Sequence, residues 1–377
     1  MNIHNLIKLR QTLHRKAELS GAEEQTAEII LQWLQQCKPD RVMKNVGGHG
    51  ILAIYEGKEK GPEVLIRGDM DALPIEEVNE ISYKSENPGV AHLCGHDGHM
   101  TILCGLAAKL TKERPKKGRV ILLFQPAEEI GEGARKMIED PSMEPLKPDF
   151  VFALHNIPGY PLNSVIVKEG SFSAAVNSII IKLKGKTAHA AEPENGINPA
   201  LAMAQILNDC KSLENPDTSK SDMRIITPVY AVLGDKAYGT SAGYAEVHFT
   251  LRCWDNDNLH KLEKEVEGLA SKIAQTHELG ISTSYTQTFF ANENDADSVE
   301  YVRKAANHHS FEIIYRNSPF KWGEDFGIFT SRFKGCMFGL GAGESQPALH
   351  NPDYDFPDEL IESGVKIFSQ IINELNG

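Results

Sequence analysis

The chain has 377 residues, 41% hydrophobic and 24% charged, with 31 glycines and 19 prolines, a globular composition long enough for two domains. A net charge of −13 with no Lys/Arg cluster argues against nucleic acid as a partner, and no run of about 18 apolar residues offers a membrane span. The six cysteines stand singly, with no CxxC pair, which suits reduced thiols and a cytoplasmic location.

The N-terminal segment MNIHNLIKLRQTLHRKAELS alternates apolar and charged residues as an amphipathic helix does, not as a secretory signal does. Ser20 followed by Glu23 reads as a capping box opening a helix to about Cys37, with Ile29, Ile30, Trp33 and Leu34 on one face. Short apolar runs follow (GILAIYE, EVLIRGD, RVILLFQ, DFVFALH and, much later, GCMFGLG), separated by helical patterns such as GHMTILCGLAAKLTKE. Such runs predict an α/β domain whose sheet is covered on both faces.

Between residues 176 and 290 the predicted order becomes βαββαβ, the pattern of a ferredoxin-like unit of four strands and two helices. It reads as an inserted α+β satellite domain. Residues 1–175 and 291–377 would then form one discontinuous α/β domain.

The stretch HLCGHDGHM, residues 92–100, packs three histidines, a cysteine and an aspartate into nine positions. Other polar residues cluster near strand ends: Asp69 and Asp71 after EVLIR, Glu128 and Glu129 after RVILLFQPA, His155 closing DFVFAL, and His350 beyond GCMFGLG. Ligands of open α/β sheets bind outside the carboxyl ends of the strands, so these residues are expected at one edge. Cys94 and His96, two apart in what reads as an extended loop, would point the same way.

Taken singly, each of these residues is commonplace; their joint placement points to metal. A thiolate, three imidazoles and a carboxylate (Cys94, His96, His155, His350 and Glu129) are too many for one tetrahedral ion but suit two divalent cations sharing a ligand. The thiolate favours zinc, with manganese, cobalt and nickel as alternatives. Of the adjacent glutamates, Glu129 is assigned to the metal and Glu128 to the general base, which takes a proton from water and passes it to a leaving amine. Asp69 or Asp71 would accept a ring N–H from a ligating histidine and fix its tautomer. His92 and His99 read as loop or helix-start residues.

The motifs LHRKAELS, RGDMDALPIEE, HLCGHDGHM, FQPAEEIGEGA, ALHN, GKTAHAAEPENGINPA, WGEDFG and LHNPDYDF, in this order, resemble the M20 metallopeptidase family and within it the amidohydrolase branch, subfamily D. The resemblance implies a di-metal hydrolase that cleaves the amide of N-acyl amino acids to a carboxylate and a free amino acid. By motif position it matches Cys94, His96, Glu129, His155 and His350 to metal ligands, Glu128 to the catalytic glutamate, and Asp69 to an active-site aspartate. It also gives the satellite domain a role in closing over substrate and in forming a homodimer or tetramer. His189 of GKTAHAAEP then matches a histidine that reaches a neighbouring subunit's site and steadies an oxyanion.

Two departures stand out. Ala17 replaces the usual proline of the first motif, and GTSAGYAEVHFTLRC replaces the usual Asn-x-Ile-Pro stretch before a strand ending in arginine. Arg252 remains available to pair with a substrate carboxylate. The alternatives are a di-metal dipeptidase or carboxypeptidase, a binding protein without turnover, and a thiol hydrolase using Cys94. The last of these leaves Glu129, His155 and His350 without purpose.

Overall fold

A computed structural model describes residues 2–377. The chain divides into two units: Met1–Phe172 with Asn292–Asn317 and Glu324–Gly377, and Ser173–Ala291 with Ser318–Gly323.

In the first unit the apolar runs become one eight-stranded sheet. Its order is Arg41–Val46, Gly50–Glu56, Lys117–Gln125, Glu59–Asp69, Phe150–Ile157, Lys334–Gly341, Val165–Val167 and Ile313–Tyr315. The strands Lys117–Gln125, Glu59–Asp69, Phe150–Ile157 and Lys334–Gly341 run parallel at its centre. Continuous burial along Gly50–Tyr55 and Val120–Gln125 explains why these segments are apolar throughout rather than alternating. The helix His96–Leu110 is buried over most of its length and packs against the helices Ile3–Arg15, Glu24–Cys37 and Glu359–Asn376.

Two sequence expectations shift at the N-terminus. The second helix begins only at Glu24, and no side chain caps it. Ser20 instead donates to Asp71 Oδ2 at 2.6 Å, and Glu23 Oε1 accepts from the Gly21 and Ala127 N–H groups at 2.9 and 2.8 Å. A capping box needs both side chains for local backbone; here Ser20 goes to a distant carboxylate, and Glu23 shares one oxygen between the nearby Gly21 and the distant Ala127.

A buried polar clamp ties the first helix to the histidine-rich loop. Arg10, fully buried, pairs with Asp97 at 3.2 Å, Asp355 at 2.8 Å and Asp358 at 2.6 Å. His14 Nδ1 lies 2.9 Å from Asp97 and its Nε2 3.3 Å from Glu77. Asp97, the second residue of the helix His96–Leu110, is thereby held from outside its own segment.

The second unit is a four-stranded antiparallel sheet ordered Arg224–Leu233, Tyr244–Cys253, Ala175–Lys184 and Gly280–Phe289. In chain order that is second, third, first, fourth, the ferredoxin-like arrangement. The alternating burial of Tyr244–Cys253 marks one covered face, and Leu259, Leu262 and Val266 of the helix Asn256–Thr276 share its core with Ala202 and Ile206 of the helix Ala200–Cys210. Asp255 caps the longer helix, accepting the Asn258 N–H at 2.7 Å. Among the described residues no helix is long and apolar enough to cross a membrane.

The clamp makes stability depend on pH. Burial disfavours the imidazolium of His14, but hydrogen bonds and charge from Asp97 and Glu77 outweigh it and raise the pKa from 6.5 to about 9. A group whose folded pKa is raised stabilises fully below its unfolded value, here 6.5, and loses that contribution as pH climbs through about 9. The shift corresponds to about 3 kcal/mol. Denaturant titrations at intervals from pH 6 to pH 10 are expected to show a loss of stability through this window, and His14→Gln is expected to flatten it.

Candidate metal centre

The carboxyl edge of the parallel strands gathers the polar residues. The strand Glu59–Asp69 ends on Asp69 itself, and Lys117–Gln125 is followed by the loop that carries Glu128 and Glu129. His155 lies inside the strand Phe150–Ile157 rather than beyond it, because that strand stays paired with its neighbour as far as Ile157 and Gly341. His96 is not in an extended loop: it opens the helix His96–Leu110, after Gly95 turns the chain at φ 95°. A Cβ at Gly95 would meet Asn156 Oδ1 at 2.4 Å, so both the turn and the close approach require glycine.

Donor atoms of Cys94, His96 and His155 lie within 4.8 Å of one another, and so do those of Cys94, Glu129 and His350. The two sets share Cys94. His96 Nε2 is 3.7 Å from Glu129 Oε1, and His350 Nε2 is 3.6 Å from Glu129 Oε2. Backbone carbonyls orient two of the rings, His96 Nδ1 lying 2.9 Å from the Asp71 oxygen and His155 Nδ1 2.9 Å from the Asn156 oxygen. A carbonyl only accepts, so each Nδ1 carries a proton and Nε2 is the ring atom left to face a cation. His155 Nε2 faces Cys94 Sγ at 3.5 Å. His350 sits at φ 66°, its N–H held by the Leu93 carbonyl at 2.9 Å, an uncommon backbone state for a non-glycine residue and one found at functional sites.

These residues fit a cation. His96 Nε2 and Glu129 Oε1 are buried without a hydrogen-bond partner, a costly state that a metal ion relieves. Burial disfavours the imidazolium of His96, yet Asp69, Asp71 and Glu129 push its pKa to about 10, and the same negative field attracts a divalent ion. Burial raises the Cys94 thiol, and the nearby Glu129 and Glu128 charges raise it further. Positive charge within the cluster reverses both effects.

Glu128 occupies a different niche. Its oxygen accepts weakly from the Asp325 N–H at 3.4 Å, and its carboxyl is close to those of Glu324 and Asp325. Burial, then the charges of Glu324, Glu129 and Asp325, raise its pKa well above the ordinary carboxylate value, with Arg67 acting in the opposite sense. Arg67, wholly buried, reaches Asp69 at 2.5 Å, Glu324 at 2.8 Å and Asp325 at 3.0 Å. The loop bearing the glutamates starts at Ala127, φ 54°, a left-handed conformation that costs a non-glycine residue roughly 1–2 kcal/mol. Distant carboxylates hold N–H groups of this loop and of the helix Gly133–Glu139 after it: Ala127 by Glu23, Glu129 by Asp71 at 3.0 Å and, in the helix, Ala134 by Asp325 at 2.9 Å.

Several of these partners escaped the sequence reading. His99 lies between Asp69 Oδ1 at 2.6 Å and Asn156 Oδ1 at 2.5 Å, with its ring 5.6 Å from that of His96. The spacing of three along one helix was its available signal. Asp71 is expected to take a ring N–H of a ligating histidine and does so for His96, but through its backbone carbonyl, which no side-chain pattern reveals. Arg67, Glu324 and Asp325 stood inside quoted motifs, but the pairing of Arg67 with Glu324 and Asp325 spans more than two hundred and fifty positions.

In the second unit His189 is exposed, on a two-residue strand paired with Thr240–Ser241. Its Nδ1 accepts the Ala191 N–H at 3.0 Å. Arg252 donates to the Lys321 carbonyl at 2.8 Å, and among the described residues no carboxylate lies within salt-bridge range of it.

Residues 65–374 match the sequence profile of peptidase family M20/M25/M40. The chain belongs to this family. This M20 chain is 31% identical to the putative amidohydrolase YhaA of Bacillus subtilis, over 97% of its own length and 93% of that protein. It is 30% identical to the N-acetyldiaminopimelate deacetylase of Bacillus velezensis, over 99% of its own length and the whole of that protein. Its fold matches the crystal structure of the Bacillus subtilis YXEP protein, described as a dinuclear metal-binding peptidase of the M20 family. The TM-score is 0.84 and the identity 26%, with 98% of this M20 chain and 97% of that chain covered.

Isothermal titration of the chelator-treated M20 chain with Zn²⁺ or Mn²⁺ is expected to give two equivalents and to release protons, since thiol and imidazolium groups must give them up. His96→Ala is expected to weaken binding by more than the roughly 10–100-fold that loss of an outer hydrogen-bond partner costs. A single equivalent, or unchanged binding in His96→Ala, contradicts the assignment.

Proposed function

We propose that this M20 chain is a metal-dependent amidohydrolase that cleaves the amide bond of N-acyl amino acids, acetyl and benzoyl derivatives among them, releasing a carboxylate and a free amino acid. The observation that carries the reading is the placement of the Glu128 carboxyl, beside Glu129 and His96, at the edge of a five-residue donor set. The relative named for removing an acetyl group from diaminopimelate supports the same substrate class.

Cys94, His96, Glu129, His155 and His350 would hold two divalent ions, zinc or manganese by the mixture of thiolate, imidazole and carboxylate. Bound there, the ions supply positive charge that polarises the scissile carbonyl and makes water more acidic. The chain's own residues do the rest. Glu128, with a raised pKa, accepts the proton of the attacking water and passes it to the amine nitrogen as the C–N bond breaks. Asp69, bound to Arg67 and His99, stays ionised: burial opposes this, but His96, Arg67 and His99 hold its pKa well below the usual carboxylate value. It thereby fixes the His99 ring against the donor cluster.

His189 is assigned to the oxyanion. Because its Nδ1 accepts a backbone N–H, a neutral ring carries its proton on Nε2 and can donate there. Arg252, without a carboxylate partner, is assigned to the substrate carboxylate. Residues 176–290 are read as the satellite domain that closes over substrate and forms a homodimer or higher assembly. Its edge strand Arg224–Leu233 exposes Val229, Tyr230 and Leu233, and an uncovered apolar edge favours pairing with a second copy. Cytoplasmic residence is consistent with six free, buried cysteines.

Purified protein loaded with Zn²⁺ or Mn²⁺ is expected to hydrolyse N-acetyl or N-benzoyl amino acids in preference to dipeptides; the reverse preference favours a dipeptidase. Glu128→Gln is expected to lower kcat by about 100-fold or more while retaining both ions. His189→Ala is expected to lower kcat by roughly 100–1,000-fold with the oligomeric state intact. Steady-state kinetics with metal analysis and light scattering check all three.

A further inference from the structure

The turn Ser20–Glu23, far in sequence from the donor residues, makes contacts that no local role explains. Glu23 is wholly buried and caps no helix. Its Oε1 accepts from the Ala127 N–H at 2.8 Å and the Gly21 N–H at 2.9 Å, while its Oε2 is buried without a partner. Ala127 is itself buried and left-handed at φ 54°, and it immediately precedes Glu128 and Glu129. Three residues earlier in the same turn, Ser20 holds Asp71 Oδ2 at 2.6 Å, and that oxygen also accepts the Glu129 N–H at 3.0 Å.

The direction in which Glu128 and Glu129 leave the strand depends on Ala127. An alanine relaxes to negative φ unless its surroundings prevent it, and relaxation there rotates the peptide that follows. The loop closes on itself through the Ala127 carbonyl, which accepts from the Glu132 and Gly133 N–H groups at 3.3 and 3.0 Å, but those bonds leave the Ala127 N–H free to turn. Glu23 Oε1 is what fixes it.

We propose that Glu23 is a positioning residue for hydrolysis: it holds Ala127 in the left-handed state and so presents the Glu128 and Glu129 carboxyls, the first to substrate and the second to metal. The proposal rests on the functional reading above, in which Glu128 is the base. Glu23 touches neither substrate nor metal and acts only through the backbone at Ala127.

Glu23→Ala removes the acceptor. It is expected to lower kcat per ion-loaded site by about 10–100-fold, the cost of a small misplacement of a catalytic group, with KM nearly unchanged. Glu23→Gln keeps an acceptor oxygen in place, and its kcat is expected to approach that of wild type. Since glycine adopts positive φ without strain, adding Ala127→Gly to Glu23→Ala is expected to recover part of the lost kcat. Crystal structures give a readout independent of turnover: Ala127 is expected to leave the left-handed region in Glu23→Ala and to keep it in Glu23→Gln.

A Glu23→Ala variant with wild-type kcat, or with Ala127 still left-handed in its crystal structure, overturns the proposal. If Glu23→Ala does not fold, Glu23→Gln decides: folded protein with poor turnover or a relaxed Ala127 overturns it, and near wild-type turnover with Ala127 held supports it. Wild-type protein inactive on every N-acyl amino acid would defeat the functional reading instead, and the backbone conformation in the variants would still judge the brace.

Discussion

Arg67 places a guanidinium, with no exposure to solvent, among Asp69, Glu324 and Asp325 at the carboxyl edge of the central strands, and the polar architecture of the first unit is arranged around that charge. A buried arginine is tolerable only when its donors are matched by acceptors, and here three carboxylates and the Gln125 amide oxygen supply them. The acceptors are then committed in turn. Asp69 orients His99, and Asp325 takes the Gln125 amide and the Ala134 N–H. Charge neutralisation in a dry interior thus becomes positional information for the loop that carries Glu128 and Glu129.

The same logic operates on the other side of the donor cluster. Arg10 and His14, on the first helix, hold Asp97, which stands next to His96. Backbone oxygens of Asp71 and Asn156 hold the rings of His96 and His155, leaving Nε2 of each directed at the cluster. Few donor side chains are left to choose their own direction. Preorganisation of this kind suits a site whose ligands repel one another, since the cost of assembling them is met by folding before any ion arrives.

Of the eight non-glycine residues at positive φ among the described residues, two belong to this cluster. Ala127 and His350 both lie at positive φ, and each has its N–H held by a partner distant in sequence, Glu23 for the first and Leu93 for the second. Left-handed backbone in non-glycine residues persists only where its surroundings over-determine it. At these two the left-handed backbone sets the direction of candidate donors, since Ala127 immediately precedes Glu128 and Glu129 and His350 is itself one.

The apolar runs sufficed to announce a sheet covered on both faces, because strands buried on both faces must be apolar at every position, and the βαββαβ order sufficed for the ferredoxin-like unit; which strands run parallel and which antiparallel was left to the fold. The candidate donors could be picked out only jointly, since each is commonplace alone and it is their shared placement near several strand ends that suggests a ligand set. The chain order of Ser20 and Glu23 suggested a helix cap, and there the reading failed: a hydrogen-bonding side chain takes whichever partner the fold brings nearest, and these went to Asp71 and Ala127. The roles of Arg67, His99, Glu324 and Glu23 were decided only by tertiary structure. Their partners lie from two to more than two hundred and fifty positions away, and local pattern records what a residue can do, not which distant atom folding sets against it.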